Sequence, residues 1–512
     1  MPTLTARLDQ AVRDLPHRFP GPGGACAVIR GGEILMRHAW GFANAEHRIP
    51  FTPRSLFRIC SITKQFTCAA LLDALPDPAV LDAAIAARLP RLTEAPPTTL
   101  HLCHNQSGLR DYWALAVLHG APPESAFGDT EAARIIEAAR TLQFRPGTRY
   151  SYANQNFRLL SDALEHRTGQ DFAQSLRPVF QRAGMETAFV AADTRAMPDS
   201  TQGYEGTQAT GFRPAINRIL WTGDAGIGAS LDDMIAWERH IDATRDDPDS
   251  LYQRLSAPVR FAGGEPASYG FGLGRHAALG QPATGHGGAL RGWRSHRMVL
   301  PAERLSVVVL FNHLSDAHDA ALHLLRAVLN EAPPAPAALP MPGWLGTYIE
   351  PETGLSARID AASDGRARLR FGHTAELLDL REDGSAGNAT VSLHPEAGGL
   401  RMERPAENMI TTLRPPADRA RQDIAGLYRC AELDADLTVL DAGGALYGGF
   451  SGFLGQGRME ALEQIGPNLW TLPCWRALDH TPPGDWTLHV MGDGRLEVGC
   501  WLARKLTYQR VC

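Results

Sequence analysis

Hydrophobic positions along the chain change their period near residue 330. Before that point, apolar residues recur in helical runs that alternate with β-rich stretches. Beyond it the helical period mostly vanishes. Short alternating runs separated by Gly, Asp and Asn predict all-β structure there. In the first part, residues 1–18 carry an amphipathic helical pattern, and 24–46 read as a hairpin whose two β-rich runs meet at Gly31-Gly32. Phe66, Ala69, Ala70, Leu71 and Leu72 predict a helix packed in a core just after Ser61. Further helices are expected around 130–142, 156–168 and 318–330, and one is expected after an N-cap at Ser230 or Asp232. Residues 284–313 read as two or three adjacent strands. His286-Gly287-Gly288 is expected on an edge strand, where glycine lets a substrate backbone approach.

EAPPAPAALPMPG, residues 331–343, is a Pro-rich linker. After it the chain repeats itself: Gly346 and Tyr348 recur as Gly426 and Tyr428, and Arg414-Pro415-Pro416 breaks the chain just before the restart. Two antiparallel barrels fit this pattern, since closure removes exposed strand edges; two open sandwiches are the alternative. The expected division is 1–330, the linker 331–343, a first barrel 344–414 and a second barrel 415–512. In the second barrel, 469–472 and 486–490 read as strands joined by a long loop, residues 473–485, containing Trp475, Asp479 and Pro482-Pro483. Ordered loops of that length are often functional.

Composition excludes several classes. The net charge is -6 and arginines are scattered among acids, so nothing suggests a nucleic-acid surface. No apolar run approaches a membrane span. The N-terminus lacks a secretory pattern, so a cytoplasmic protein is expected. The eight cysteines form no C-x-x-C and no zinc spacing, and several are expected to be small buried hydrophobes. No H-E-x-x-H, P-loop or dinucleotide fingerprint occurs, so no metal and no cofactor are expected.

The candidate chemistry starts at Ser61-Ile62-Thr63-Lys64. Its spacing puts Ser61 and Lys64 on one helical face, one turn apart. A neutral Lys amine there can take the hydroxyl proton before oxygen attacks a carbonyl. The chain has only two lysines, Lys64 and Lys505. Elsewhere it uses Arg, which cannot lose its proton at workable pH, whereas a buried Lys can. Tyr152-Ala153-Asn154 follows the Pro146-Gly147 turn. Tyr152 can bond the Ser61 hydroxyl or the leaving group, and Asn154 can fix Lys64 and a substrate carbonyl. Taken alone, this triplet also reads as ordinary loop capping, and H-G-G as a turn.

Ser61/Lys64, Tyr152/Asn154 and His286/Gly288, in that order, resemble the motifs of the penicillin-recognising serine hydrolases: class C β-lactamases, D,D-carboxypeptidases, their esterase relatives and D-aminopeptidases. The flanks Ser107-Gly108-Leu109 and Phe144-Arg145-Pro146-Gly147 belong to the likeness, which covers roughly residues 20–330. It implies an α+β chain: an antiparallel sheet with helices on both faces, plus a helical region beside the site, followed by the two barrels. It implies a Ser61 acyl-enzyme, with Lys64 and Tyr152 sharing proton transfer. The oxyanion hole would be the backbone N–H groups of Ser61 and Ala289. Where many relatives have Lys in the third motif, this chain has His286, neutral at pH 7. A fixed charge for a substrate carboxylate is lost, which argues against a β-lactamase or carboxypeptidase.

With two barrels and H-x-G, the chain resembles the bacterial D-aminopeptidases most closely. The resemblance implies release of an N-terminal D-residue, typically D-Ala, from peptides, amides and esters. Gly287 and Gly288 would line the substrate. The 473–485 loop, with Trp475, Arg476, Asp479 and His480, would set specificity, and Asp479 would take the substrate ammonium. It also implies a homodimer and makes β-lactams candidate inhibitors. The competing readings are an esterase or D,D-peptidase of the same fold, and a non-catalytic binding protein.

Overall fold

The computed structural model describes residues 2–332, 339–372, 374–416, 423–479 and 482–511. Residues 333–338 of the expected linker, and His480, lie outside the described residues.

An eight-stranded antiparallel sheet organises the first part. Its strands in chain order are β1 (Gly23–Arg30), β2 (Glu33–Asn44), β3 (Ile49–Pro50), β4 (Tyr269–Gly270), β5 (Leu273–Ala278), β6 (Gln281–Leu290), β7 (Trp293–Leu300) and β8 (Leu305–Phe311). Spatially they run β4-β5-β6-β7-β8-β1-β2-β3. β1 and β2 are the expected hairpin, and both turn glycines have positive φ. β8 is LSVVVLF and is buried throughout, as the centre of a sheet covered on both faces must be. One face packs on helices α1 (Leu4–Arg18) and α6 (Ala317–Leu329) through Cys26, Val28, Val307 and Val309. The other face carries the buried helix α2 (Thr63–Ala74), and also α5 (Leu231–Ala243), capped by Ser230 and Asp233 in a reciprocal pair.

The edge-strand expectation for His286 holds for half a strand only. β6 is interior, paired with both β5 and β7. Its pairing with β5 ends at Gly285, while its pairing with β7 runs on to Leu290. From His286 onward one side of β6 has no strand beside it among the described residues. The helix expected at 130–142 spans Asp129–Glu137. The chain then leaves the helical path because the Arg140 carbonyl accepts from Thr93 N (3.0 Å) and Thr141 N donates to Glu432 Oε1 (3.2 Å).

A helical region lies beside the sheet. It includes α3 (Tyr112–Leu118) and α4 (Gln155–Thr168). The remaining chain forms two antiparallel β units. Eight strands from Gly346–Ile349 to Met409–Leu413 follow one another in order, and mutual Ile349–Arg414 backbone bonds of 2.7 and 2.9 Å close the ring. In the second unit, residues 460–466 pair with Ala445–Gly452 on one side and Leu469–Leu472 on the other, so that ring also closes. The sequence repeat has a structural counterpart. Tyr348 Oη donates to Trp344 O (2.6 Å) and Tyr428 Oη to Ile424 O (3.0 Å), the same bond four residues back at the start of each barrel.

The barrels pack differently. The first has its own core, including Ile359, Leu369, Leu393 and Met402. The second shares one continuous core with α2, α3 and α4, in which Phe450 and Tyr508 belong with Phe66, Tyr112 and Phe157. Six of the cysteines are buried and Cys474 is half-buried; none of these is in a disulfide. Among the described residues, no helix is long and apolar enough to cross a membrane.

Candidate active site

The site is built from α2 outward. Ser61 sits in a single 3-10 turn, Cys60–Ile62, that leads into α2. Cys60 has φ 54°, an uncommon conformation for a non-glycine residue. Residues Thr63–Leu72 are all buried, so Lys64 is carried by a helix buried on every side. Ser61 lies at the N-terminal end, where backbone N–H groups favour developing negative charge.

Lys64 is fully buried. Its Nζ lies 3.0 Å from Ser61 Oγ, 2.9 Å from Asn154 Oδ1 and 2.7 Å from the Asp224 carbonyl. Burial pushes its pKa down to about 8, against the opposing pull of Asp224 and Asp111. The contacts then fix the amine's orientation. Asn154 Oδ1 and the Asp224 carbonyl only accept, so a neutral amine directs its two hydrogens at them. Its lone pair is left facing Ser61 Oγ.

Asn154 is itself oriented by Asp111, a residue that the motifs do not single out. Asn154 Nδ2 and N donate to Asp111 Oδ2 at 2.9 and 2.7 Å, which assigns the amide oxygen to Lys64. Asp111 also caps α3 through Trp113 N at 3.0 Å. Its own N–H donates to Leu502 O of the second barrel at 2.9 Å. In sequence, Asp before a helix reads as an N-cap and nothing more. Asp224, which positions Lys64 through its carbonyl, is held by a Tyr112 Oη hydrogen bond.

Tyr152 hydrogen-bonds Ser61, and its ring lies under Lys64 Nζ at 4.9 Å. Burial raises its pKa well above the usual phenol value, so the hydroxyl keeps its proton. His286 Nδ1 faces the Gly287 carbonyl, an acceptor, and therefore carries the hydrogen. Its Nε2 accepts from Tyr269 Oη at 3.0 Å. Burial, then the nearby Lys64, push its pKa down to about 3, so the imidazole is neutral.

β6 lies against the turn that carries Ser61 because position 288 has no side chain. A Cβ on Gly288 would stand 2.1 Å from Ser295 Oγ, 2.6 Å from Ile59 O and 2.8 Å from Cys60 Cβ. Ser295 Oγ donates to Ile59 O at 3.0 Å and ties β7 to the same turn.

A cavity of about 680 Å³ opens over these groups. Ser61, Asp111, Tyr152, Asn154, His286, Gly287, Gly288 and Ala289 line it, with Gly372, Glu376, Arg404 and Glu407 of the first barrel and Asp479, Pro483 and Trp501 of the second. Asp479 is buried. It is placed by Arg291, at the end of β6, which donates to Ala477 O (2.6 Å) and Leu478 O (3.0 Å). Trp475 is 75 % exposed and stands outside the cavity. Arg476 is also outside, paired with Glu124 and with Glu205 at 3.0 Å, so it anchors the loop. No group of three or more metal-ligating side chains occurs among the described residues.

The comparisons agree with this architecture. Residues 8–330 match the β-lactamase family, and residues 337–509 match D-aminopeptidase domain B. The chain is 58 % identical over 523 residues to a D-aminopeptidase of Gluconobacter oxydans, covering 99 % of each. It is 47 % identical over 518 residues to a D-aminopeptidase of Brucella canis, covering 100 % of this chain and 99 % of the relative. Among solved structures, an octameric penicillin-binding protein homologue from Pyrococcus abyssi superposes with a TM-score of 0.54 at 20 % identity, over 80 % of this chain and 99 % of that one. A D-amino acid amidase from Ochrobactrum anthropi SV3, complexed with L-phenylalanine amide, superposes with a TM-score of 0.52 at 19 % identity, over 64 % of this chain and 99 % of that one. Both show a shared fold. With a β-lactamase-family match over more than half its length and full-length relatives at 47–58 % identity, the chain belongs to the D-aminopeptidase family.

Proposed function

We propose that this protein is a serine hydrolase that releases N-terminal D-amino acids, D-Ala-like, from peptides, amides and esters. The observation that carries the chemistry is the Lys64 amine, held by two fixed acceptors with its lone pair toward Ser61. Lys64 takes the Ser61 proton as Oγ attacks the substrate carbonyl. The N–H groups of Ser61 and Ala289 receive the oxyanion. Tyr152, protonated and bonded to Ser61, passes a proton to the leaving nitrogen. Water then releases the acyl group from Ser61. Asn154 orients Lys64, and neutral His286 holds Tyr269 while bringing no charge to the substrate. Gly287 and Gly288 present a bare backbone to the substrate. Asp479 takes the substrate ammonium, and the loop carrying it blocks longer N-terminal extensions.

Three units serve this chemistry: a catalytic part, 1–330, and barrels at 344–414 and 415–512. A cytoplasmic homodimer is part of the reading, and gel filtration checks the pairing.

The test uses four p-nitroanilides: D-Ala, L-Ala and the N-acetyl form of each. Release from free D-Ala alone is expected. Equal release from N-acetyl-D-Ala would remove the ammonium pocket and point to a general D-amidase or esterase. Ser61→Ala is expected to abolish turnover with the fold retained by circular dichroism.

A further inference from the structure

The cavity is larger than a D-alanyl group needs, and part of its wall comes from the first barrel. The hairpin turn Arg404–Asn408 is anchored beside the catalytic tyrosine. Asn408 Nδ2 donates to Thr148 O (2.9 Å), and Tyr150 N lies 3.4 Å from Glu407 O. Ser268 Oγ, one residue before Tyr269, reaches Ala406 O at 3.5 Å. The rings of Tyr150 and Tyr152 both lie near Tyr269, at 5.5 and 6.3 Å. The turn therefore flanks the side where Tyr152 meets the leaving group. Asp479 enters separately, from the Arg291 anchor at the far end of β6.

Three charged side chains of this barrel line the wall: Glu376, Arg404 and Glu407. Arg404 is held by its neighbours. It donates to Glu376 Oε2 (2.6 Å) and Glu407 Oε1 (3.1 Å), and its guanidinium packs near the rings of Trp501 (5.1 Å) and Phe371 (5.8 Å). Its Nε is buried without a partner. Arg504 lies behind Trp501, buried and donating to Trp501 O. The two carboxylates keep accepting capacity of their own. Among the described residues, Glu407 Oε2 is buried with no hydrogen-bond partner, and the Glu376 carboxylate accepts from Arg404 and Thr390. The first barrel's part of the lining thus holds two carboxylates against one arginine.

We infer that Glu376, Arg404 and Glu407 form the leaving-group subsite, which accepts N–H donors and cations and disfavours a free carboxylate next to the scissile bond. The inference rests on the aminopeptidase reading above. A substrate whose second residue ends in an amide offers N–H groups to the two glutamates. The same substrate ending in a carboxylate sets a third negative charge beside them. Both pass through one D-alanyl-enzyme, so the difference arises in acylation.

The test is the ratio of kcat/KM for D-alanyl-glycinamide over D-alanyl-glycine, followed by release of D-Ala from the full chain. The wild-type ratio is expected at roughly tenfold or more. Glu407→Gln, and independently Glu376→Gln, are expected to bring it within about threefold. Because both substrates are read in one preparation, partial loss of folded protein cancels from the ratio. Equal rates in the wild type, or a ratio that neither variant changes, would overturn the subsite. Faster cleavage of the free acid would also overturn it and assign Arg404 to anion binding. If neither substrate releases D-Ala, the aminopeptidase reading itself fails, and the subsite fails with it.

Discussion

Lys64 has two fixed acceptors and one hydroxyl around its amine, and these surroundings define its chemistry. With its pKa lowered to about 8, the base form grows as pH rises through that value. Labelling of Ser61 by an uncharged fluorophosphonate is therefore expected to slow about tenfold per pH unit below 8 and to level off above it. An uncharged probe keeps the substrate's own amine out of the profile. No step between pH 5 and 7 is expected from His286, whose pKa lies near 3. Asp111 is a positioning residue: it raises the Lys64 pKa and turns Asn154 toward it. Asp111→Asn is expected to slow labelling about tenfold and move the limb to lower pH, a shift that a merely structural role would not cause. The two residues also mark what sequence reveals. Ser61 and Lys64 were legible because they are three apart where one helix begins and Lys is scarce. Asp111 was not, because its partners are Asn154, 43 residues on, and Leu502 in another unit.

At the scale of elements, the site depends on β6 lying against the turn that carries Ser61. Gly288→Ala would place a methyl 2.6 Å from the Ile59 carbonyl and 2.8 Å from Cys60 Cβ, neither of which can rotate away. The strand must move, and Ala289 N–H moves with it. Loss of kcat of about a hundredfold or more is expected, as for a displaced oxyanion donor, with little change in KM. Steady-state kinetics beside a thermal melt separate this from simple unfolding. The glycine was legible as a permissive residue, but its neighbours were not, since Ser295 and Ile59 arrive from other elements. The edge reading of His286 holds for only half of β6, for a related reason. β5 stops pairing at Gly285, and strand length in a neighbour leaves no trace in the sequence of β6.

At the scale of the molecule, the second barrel shares the core of the catalytic part, while the first has a separate core that Trp501 of the second barrel joins. Arg291 links the catalytic sheet to the 473–485 loop and is fully buried against Glu205. Arg291→Ala removes the buried partner of Glu205 Oε1 and leaves Arg476 as the remaining arginine on that carboxylate. A lower melting temperature is expected, together with a narrowed gap between D-Ala and N-acetyl-D-Ala p-nitroanilides as Asp479 loses its placement. The barrels themselves were legible from alternation and from the Gly-x-Tyr repeat. Their unequal attachment was not, because it is decided by which outer faces are apolar toward a distant helix.

The bonds from Asp111 N–H to Leu502 and from Arg110 Nε to Arg504 join residues that are made far apart in time. The second pair is separated by 394 residues, about 20–80 s of synthesis. Through that interval the nascent chain carries Ser61 and Lys64 but lacks the carbonyl that secures Asp111. A hydrolase assembled in this order acquires its full catalytic geometry only once the second barrel has been made, after its own earlier segments have had time to fold.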